Sequence, residues 1–463
     1  MKKTGRVISV QGPVVDVKFE QAESVPSLYQ VAKTTTFDGR KITLEVAEHL
    51  GNNIARCVAL ASTLNLQRNA RVFSSDNSVT IPVGEELFSR IINVIGEPID
   101  GKGEIESQIT VPVQKNISGL CPRPGQLADT ESEVLEAGIK IIDLLFPLVK
   151  GSKNGILGGA ALGKSILVLE LIHNVIKKHE GACVFTGAGE RIREGNELYY
   201  ELQKQGVLDK VMMAFGQMNE PPGARFEIVS TGIALAEYLQ SRNQDVLFFI
   251  DNVYRFVQAG AEISTLLGRV PSETGYQPTL ASEVGNFHEK IRSRAGSFIT
   301  AIEAIYVPAD DLTDPAVVTI FSYLDSIIVL SREHVQLGLY PAIDPLTSSC
   351  SNLDPAIVGR RHFEISQEVL RILSKYKELN RIVAVIGIEE LSRADHILYE
   401  RAKKLQKFLT QPFFTAEVYT GRKGEYVPLA DTLEGCERIV TGKADSIPEE
   451  KLYMIGKIEQ VGK

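Results

Sequence analysis

Between Gly158 and Leu167 the chain reads GGAALGKSIL, and Gly158-x-x-x-x-Gly163-Lys164-Ser165 is the spacing of a loop that holds phosphate. Glycines in such a loop let successive backbone N–H groups converge on phosphate oxygens, and a following helix adds the positive end of its dipole. Lys164 can bring a mobile charge to the β- and γ-phosphates of a nucleotide, and the Ser165 hydroxyl is a ligand for Mg2+. The candidate cradle is Gly158, Gly159, Ala160, Ala161, Leu162, Gly163, Lys164, Ser165 and Ile166. Two other stretches could complete a hydrolytic site. The apolar run DVLFFID ends in Asp251, the form in which a buried strand delivers a carboxylate to a magnesium shell. In GAGERIREGNELYYEL, Glu190 follows a buried strand through a glycine-rich turn, where a water-activating base would stand. Glu194 comes one helical turn later, with Arg191 and Arg193 between; a solvated helix start with i,i+4 charge pairs has the same spacing.

Such groups need a scaffold, and the chain is long enough to supply several. Its 463 residues exceed one comfortable core and point to two or three domains. With 44% hydrophobic and 23% charged residues, the composition is that of an ordinary globular protein. No apolar run approaches the roughly 20 residues that span a bilayer. The opening MKKTGRVISVQGPVVDV lacks a secretory or transit pattern, which predicts a cytoplasm-like compartment. A formal charge of −8, spread along the chain, argues against a nucleic-acid surface. The five cysteines are far apart with no CxxC, and the seven histidines show no HxxxH or HExxH, so no disulfide framework or structural metal site is expected.

Three regions follow from the patterning. Residues 1–78 are strand-like, with RVISV and VVDVKF around a Gly12-Pro13 turn, then KITLEV and ARCVAL, and predict a small β-barrel or sandwich. Residues 79–345 alternate apolar strands (NGIL, ACVFT, VMMAF, DVLFFID, SFITAIEAIYV, SIIVL) with helical stretches, the mark of a mostly parallel sheet covered on both faces. The helix after the phosphate loop is expected to run from Ser165 to Gly181. Residues 346–463 are helical, with Ile365, Val369, Ile372 and Leu373 on one stripe.

Long strings then resemble one family, the catalytic beta subunit of F-type ATP synthases: GQMNEPPGAR, FIDNVYRF, GRVPSETGYQPTLASEVG, AIYVPADDLTDPA, LYPAIDPL and FLTQPFFTAEVYTG. The resemblance covers essentially the whole chain. It implies a β-barrel, a RecA-like α/β domain and a helical C-terminal domain. It further implies that Lys164 and Ser165 hold phosphates and Mg2+, that Glu190 polarises the attacking water, and that Arg191 and Arg255 contact the γ-phosphate. Glu194 and Asp251 would belong to the magnesium shell, and Tyr340, Phe413 and Phe408 would sandwich the adenine of ATP or ADP. The implied partners are alpha subunits in an alternating three-alpha, three-beta ring, a central gamma stalk and, indirectly, a peripheral stalk and membrane sector. The implied location is the cytoplasmic face of a bacterial cell membrane, as a peripheral complex, with an arginine from the alpha neighbour completing the site. The loop departs from the family's Gly-Gly-Ala-Gly-Val-Gly-Lys-Thr at Ala161, Leu162 and Ser165. If position 161 is left-handed, alanine there costs roughly 1–2 kcal/mol. EELSRAD carries Arg393 where the family's acidic loop has glutamate, and GRRHFEI carries Phe363 where tyrosine is common. Two rival readings remain: a nucleotide-binding but catalytically silent ring subunit, and a self-assembling homohexameric ATPase.

Overall fold

The fold is taken from a computed structural model that describes residues 3–75, 77–114, 133–159, 161–179, 181–293, 296–308 and 311–462. The chain divides into two compact units, one from the described residues of 1–128, 181–305 and 311–323, the other from those of 129–180, 306–310 and 324–463.

The first unit begins with strands Thr4–Gln11, Val14–Phe19, Val31–Thr35, Lys41–Gly51, Ile54–Ala59 and Arg71–Ser74, which close into a barrel in the order first, second, fifth, fourth, third, sixth. Alternation fills it: Val7, Val15, Val17, Phe19, Ile42, Leu44, Val46, Cys57 and Val72 form one buried cluster. VVDVKF departs from strict alternation because Asp16 is also buried, held by the Arg56 guanidinium at 2.8 Å. Beyond the barrel, strands Ile299–Ile305, Val246–Asp251, Ala182–Glu190, Val211–Gln217 and Ile91–Ile92 lie side by side in that order, all parallel. Every residue of Ala182–Glu190 is buried, as expected of a central strand with a neighbour on each edge. Helix Pro222–Ser241, opened by a proline in its first turn, packs on this sheet, and Gly232 lies so close to Thr186 that a Cβ would sit 1.9 Å from its hydroxyl.

In the second unit, strand Lys153–Leu157 runs parallel to Ser326–Val329, which pairs antiparallel with Ser349–Cys350. Helix Lys164–Lys178 follows the first of these and buries Leu167, Val168, Leu171, Ile172, Val175 and Ile176. It stops at Lys178, short of Gly181, because His179 turns to extended backbone (φ −114°, ψ 134°). The helices Arg360–Ile386, Arg393–Phe408 and Leu429–Val440 pack on one another. The stripe Ile365, Val369, Ile372, Leu373 is buried throughout, and Ser392 caps the second helix by accepting the Asp395 N–H at 3.1 Å. Among the described residues, no helix is long and apolar enough to cross a membrane.

Candidate functional site

The predicted site residues divide between the units. Gly158–Ile166, Tyr340, Phe408 and Phe413 belong to the second; Glu190, Arg191, Glu194, Asp251 and Arg255 belong to the first.

In the second unit, the buried strand Lys153–Leu157 delivers the chain to Gly158. A side chain there would crowd Leu330, whose Cβ lies 3.0 Å from the position a Cβ would take. Gly159 is buried, and Ala160 lies outside the described residues. Ala161 adopts φ +63°, so the condition set by the sequence is met and the alanine carries the left-handed cost. Leu162 anchors the loop by its buried side chain, and Gly163, at φ +87°, is the N-cap of helix Lys164–Lys178. Among the described residues no side chain caps that N-terminus, and no acidic residue sits in its first turn. The helix N-terminus thus turns the positive end of its dipole toward the loop, with Lys164 half-buried and the Ser165 side chain exposed.

The aromatic residues fare unequally. Tyr340 is 40% exposed and its carbonyl accepts the Gln411 N–H at 3.0 Å, which ties it to the segment carrying Phe413. Phe413 is 6% exposed. Phe408 has no exposed surface: the Lys140 ammonium sits 4.3 Å from its ring centroid, and its edge fills the space above Gly435. In this structure Phe408 is a packing residue, without a free face for a base.

In the first unit, Glu190 ends its strand just past a register shift opposite Gly216 and Gln217. The preceding Gly189 has φ +66°, and the Arg255 stem lies 3.1 Å from where a Cβ would be, so glycine is required there on both counts. Arg255 donates to the Gly189 carbonyl. Glu190 is 5% exposed and accepts the Arg191 N–H at 3.1 Å. Burial, a hydrogen bond to Glu194 and the Asp251 charge hold its carboxyl well above the ordinary range. Glu194 moves the other way, because it accepts that hydrogen bond and feels Arg191 and Arg255. The two carboxyls are pushed in opposite directions, Glu190 upward and Glu194 downward. Arg191 pairs with Glu194 at 3.3 Å, while the neighbouring Arg193–Glu197 pair is the solvated i,i+4 kind. Asp251 ends its strand between Gly187 and Ala304. The structure thus brings together two carboxylates, a third acid behind them and two guanidinium groups.

Among the described residues no group of three or more His, Cys, Asp or Glu side chains could hold a metal ion unaided. That donor set fits magnesium, which keeps several waters and takes one or two carboxylates plus phosphate oxygens. Sequence reasoning missed Glu170 and Lys140, both fully buried. The signal for Glu170 was present: a charge on the stripe of Leu167, Leu171 and Val175.

A barrel, a mostly parallel α/β layer carrying a phosphate loop, and a helical C-terminal domain define a phosphate-loop nucleotide-binding protein. Family models match each part: the beta-barrel domain of the ATP synthase alpha/beta family over residues 7–74, that family's nucleotide-binding domain over 138–350, and the C-terminal domain of V and A type ATP synthase over 351–448. The chain belongs to the ATP synthase alpha/beta family. The C-terminal match is to the V and A type, whereas the strings quoted above resemble the F-type beta subunit.

Proposed function

We propose that the chain is the catalytic, beta-type subunit of an F-type rotary ATPase headpiece, interconverting ATP with ADP and phosphate beside an alpha-type neighbour. The observation that carries this reading is Glu190: a buried carboxyl at a strand terminus, with Glu194 beside it and Arg191 and Arg255 flanking it. A silent subunit has no use for such an arrangement, which is costly to bury. In the hydrolytic direction, the loop amides and Lys164 hold the phosphates, Glu190 orients the attacking water, and Arg191 and Arg255 meet charge developing on the γ-phosphoryl group. The Ser165 hydroxyl, with Glu194 and Asp251, would hold Mg2+, which would neutralise phosphate charge when bound. Tyr340 and Phe413 take the adenine. The alpha neighbour supplies a further arginine, worth a factor of about 10³–10⁵ in turnover, so the chain alone is nearly inert. The partners are alpha subunits in a three-plus-three ring, a gamma stalk and, through them, a membrane sector, which places the complex at a membrane's cytoplasmic face.

A silent ring subunit is the second reading, and Ala161 in a left-handed conformation favours it. Phosphate release from the ring assembled with its alpha partner decides between the two. We expect Glu190→Gln to lower turnover at least about 10²-fold, the scale of a positioned base, while MgATP still binds. Equal rates for the variant and the parent would exclude the catalytic reading.

A further inference from the structure

Glu170 stands on the buried face of helix Lys164–Lys178, one and a half turns after Lys164, with no exposed surface. Three donors converge on it. Its Oε1 accepts the Phe414 N–H at 3.1 Å, and its Oε2 accepts the Thr415 N–H and the Thr415 hydroxyl, each at 3.0 Å. That hydroxyl also lies 3.4 Å from the Ile166 carbonyl, in the helix's first turn. The Phe414 ring packs on His173 of the same helix, with centroids 4.8 Å apart. Across the segment, Gly424 is pressed against the Phe414 backbone, where a Cβ would fall 2.3 Å from the amide nitrogen. The Glu425 N–H donates to the Pro412 carbonyl at 3.1 Å. Only an acceptor at both oxygens satisfies this set; a glutamine would turn its amide N–H groups toward another donor.

We propose that Glu170 is a positioning residue that fixes Phe413 against the phosphate loop. Through the backbones of Phe414 and Thr415 it clamps the segment carrying the stacking ring onto the helix that begins with Lys164 and Ser165. The span between base and phosphates is thereby set, and adenine nucleotide is favoured over bare polyphosphate. The inference rests on Phe413 being a base-stacking ring, as read above. Without Glu170, Phe413 keeps its chemistry and loses its register with the loop.

Calorimetry on the full-length chain, with MgATP and with magnesium tripolyphosphate, tests it. The parent is expected to prefer ATP. Glu170→Gln should lose about tenfold in MgATP affinity, the scale of a buried bond to a charged acceptor, with tripolyphosphate binding within about twofold of the parent. Thr415→Val removes the hydroxyl and leaves both amide bonds; it should lose a smaller part of the ATP preference, and Thr415→Ser should restore it. Thr415→Val also carries the test should Glu170→Gln not fold. A preference for ATP that survives these substitutions, or an equal loss for both ligands, overturns the role of Glu170 alone. A parent chain that binds both ligands equally overturns the stacking role of Phe413, and the inference falls with it.

Discussion

At Ala161 a single methyl group separates this loop from a glycine loop. The left-handed backbone costs an alanine about 1–2 kcal/mol, whereas glycine takes it freely but loses about 0.4–1 kcal/mol more backbone entropy on folding. The methyl is exposed. Ala161→Gly is therefore expected to stabilise the chain by up to about 1 kcal/mol, seen as a higher urea midpoint with an unchanged slope. A lower midpoint would mean that the methyl contributes packing. Glu190 predicts a pH effect. Its carboxyl is held above the usual range by burial, by Glu194 and by Asp251, so without nucleotide it is largely protonated where an ordinary glutamate is ionised. A base must be ionised, so kcat/KM for hydrolysis by the assembled ring should climb with pH through the neutral range. The phosphates of bound MgATP carry net negative charge and oppose ionisation, so the corresponding limb of kcat is expected at higher pH. A profile flat from pH 5 upward would remove Glu190 as the base.

At the scale of elements, close packing between helices is set by glycines whose absent side chains leave room for rings. Gly435, on helix Leu429–Val440, accommodates the Phe408 edge; a Cβ would lie 2.2 Å from Cζ. Alanine gains about 0.5–1 kcal/mol as a helix former, but displacing a fully buried ring costs about 1–3 kcal/mol. Gly435→Ala should lower the melting temperature, and a rise would show that the helices can slide apart. The elements themselves were largely legible, because period and burial agree: Ile365, Val369, Ile372 and Leu373 all face inward. The phosphate loop was legible from its spacing and its strand–helix setting. What stayed hidden depends on partners remote in sequence. Lys140 meets the Phe408 carbonyl 268 residues away, and Glu170 meets Phe414 244 residues away. Asp16 breaks its strand's alternation for a partner 40 residues on. Phe408 read as a base-stacking ring because its string resembles the family's; its burial under Lys140 becomes visible only once helix Lys140–Leu145 is placed.

For the whole molecule, that short helix makes folding depend on pH. Asp143 is fully buried and accepts the Ala137 and Gly138 N–H groups, each at 2.7 Å, yet burial outweighs these donors and pushes its carboxyl up to about 8. Burial pushes the Lys140 amine down to about 7. The native state therefore holds a proton on Asp143 that the unfolded chain has released, and stability falls as pH rises from about 4 toward 8. Lys140 acts oppositely: above about 7 the unfolded chain holds the extra proton, and stability rises toward pH 10.5. Between 7 and 8 the two nearly cancel. Urea titrations across pH should show Asp143→Asn losing the falling limb and Lys140→Met losing the rising one; parallel curves for parent and variants would refute the linkage. The N-terminal barrel has a different consequence for assembly. Its strands form a complete circle, so no row of unpaired amides is available there for a neighbouring protein to zip onto. Any contact made through the barrel therefore rests on side chains, among them Phe37 and Leu64 on the connecting turns, which are 80% and 69% exposed. A contact made by side chains alone can shift slightly without breaking a backbone hydrogen bond.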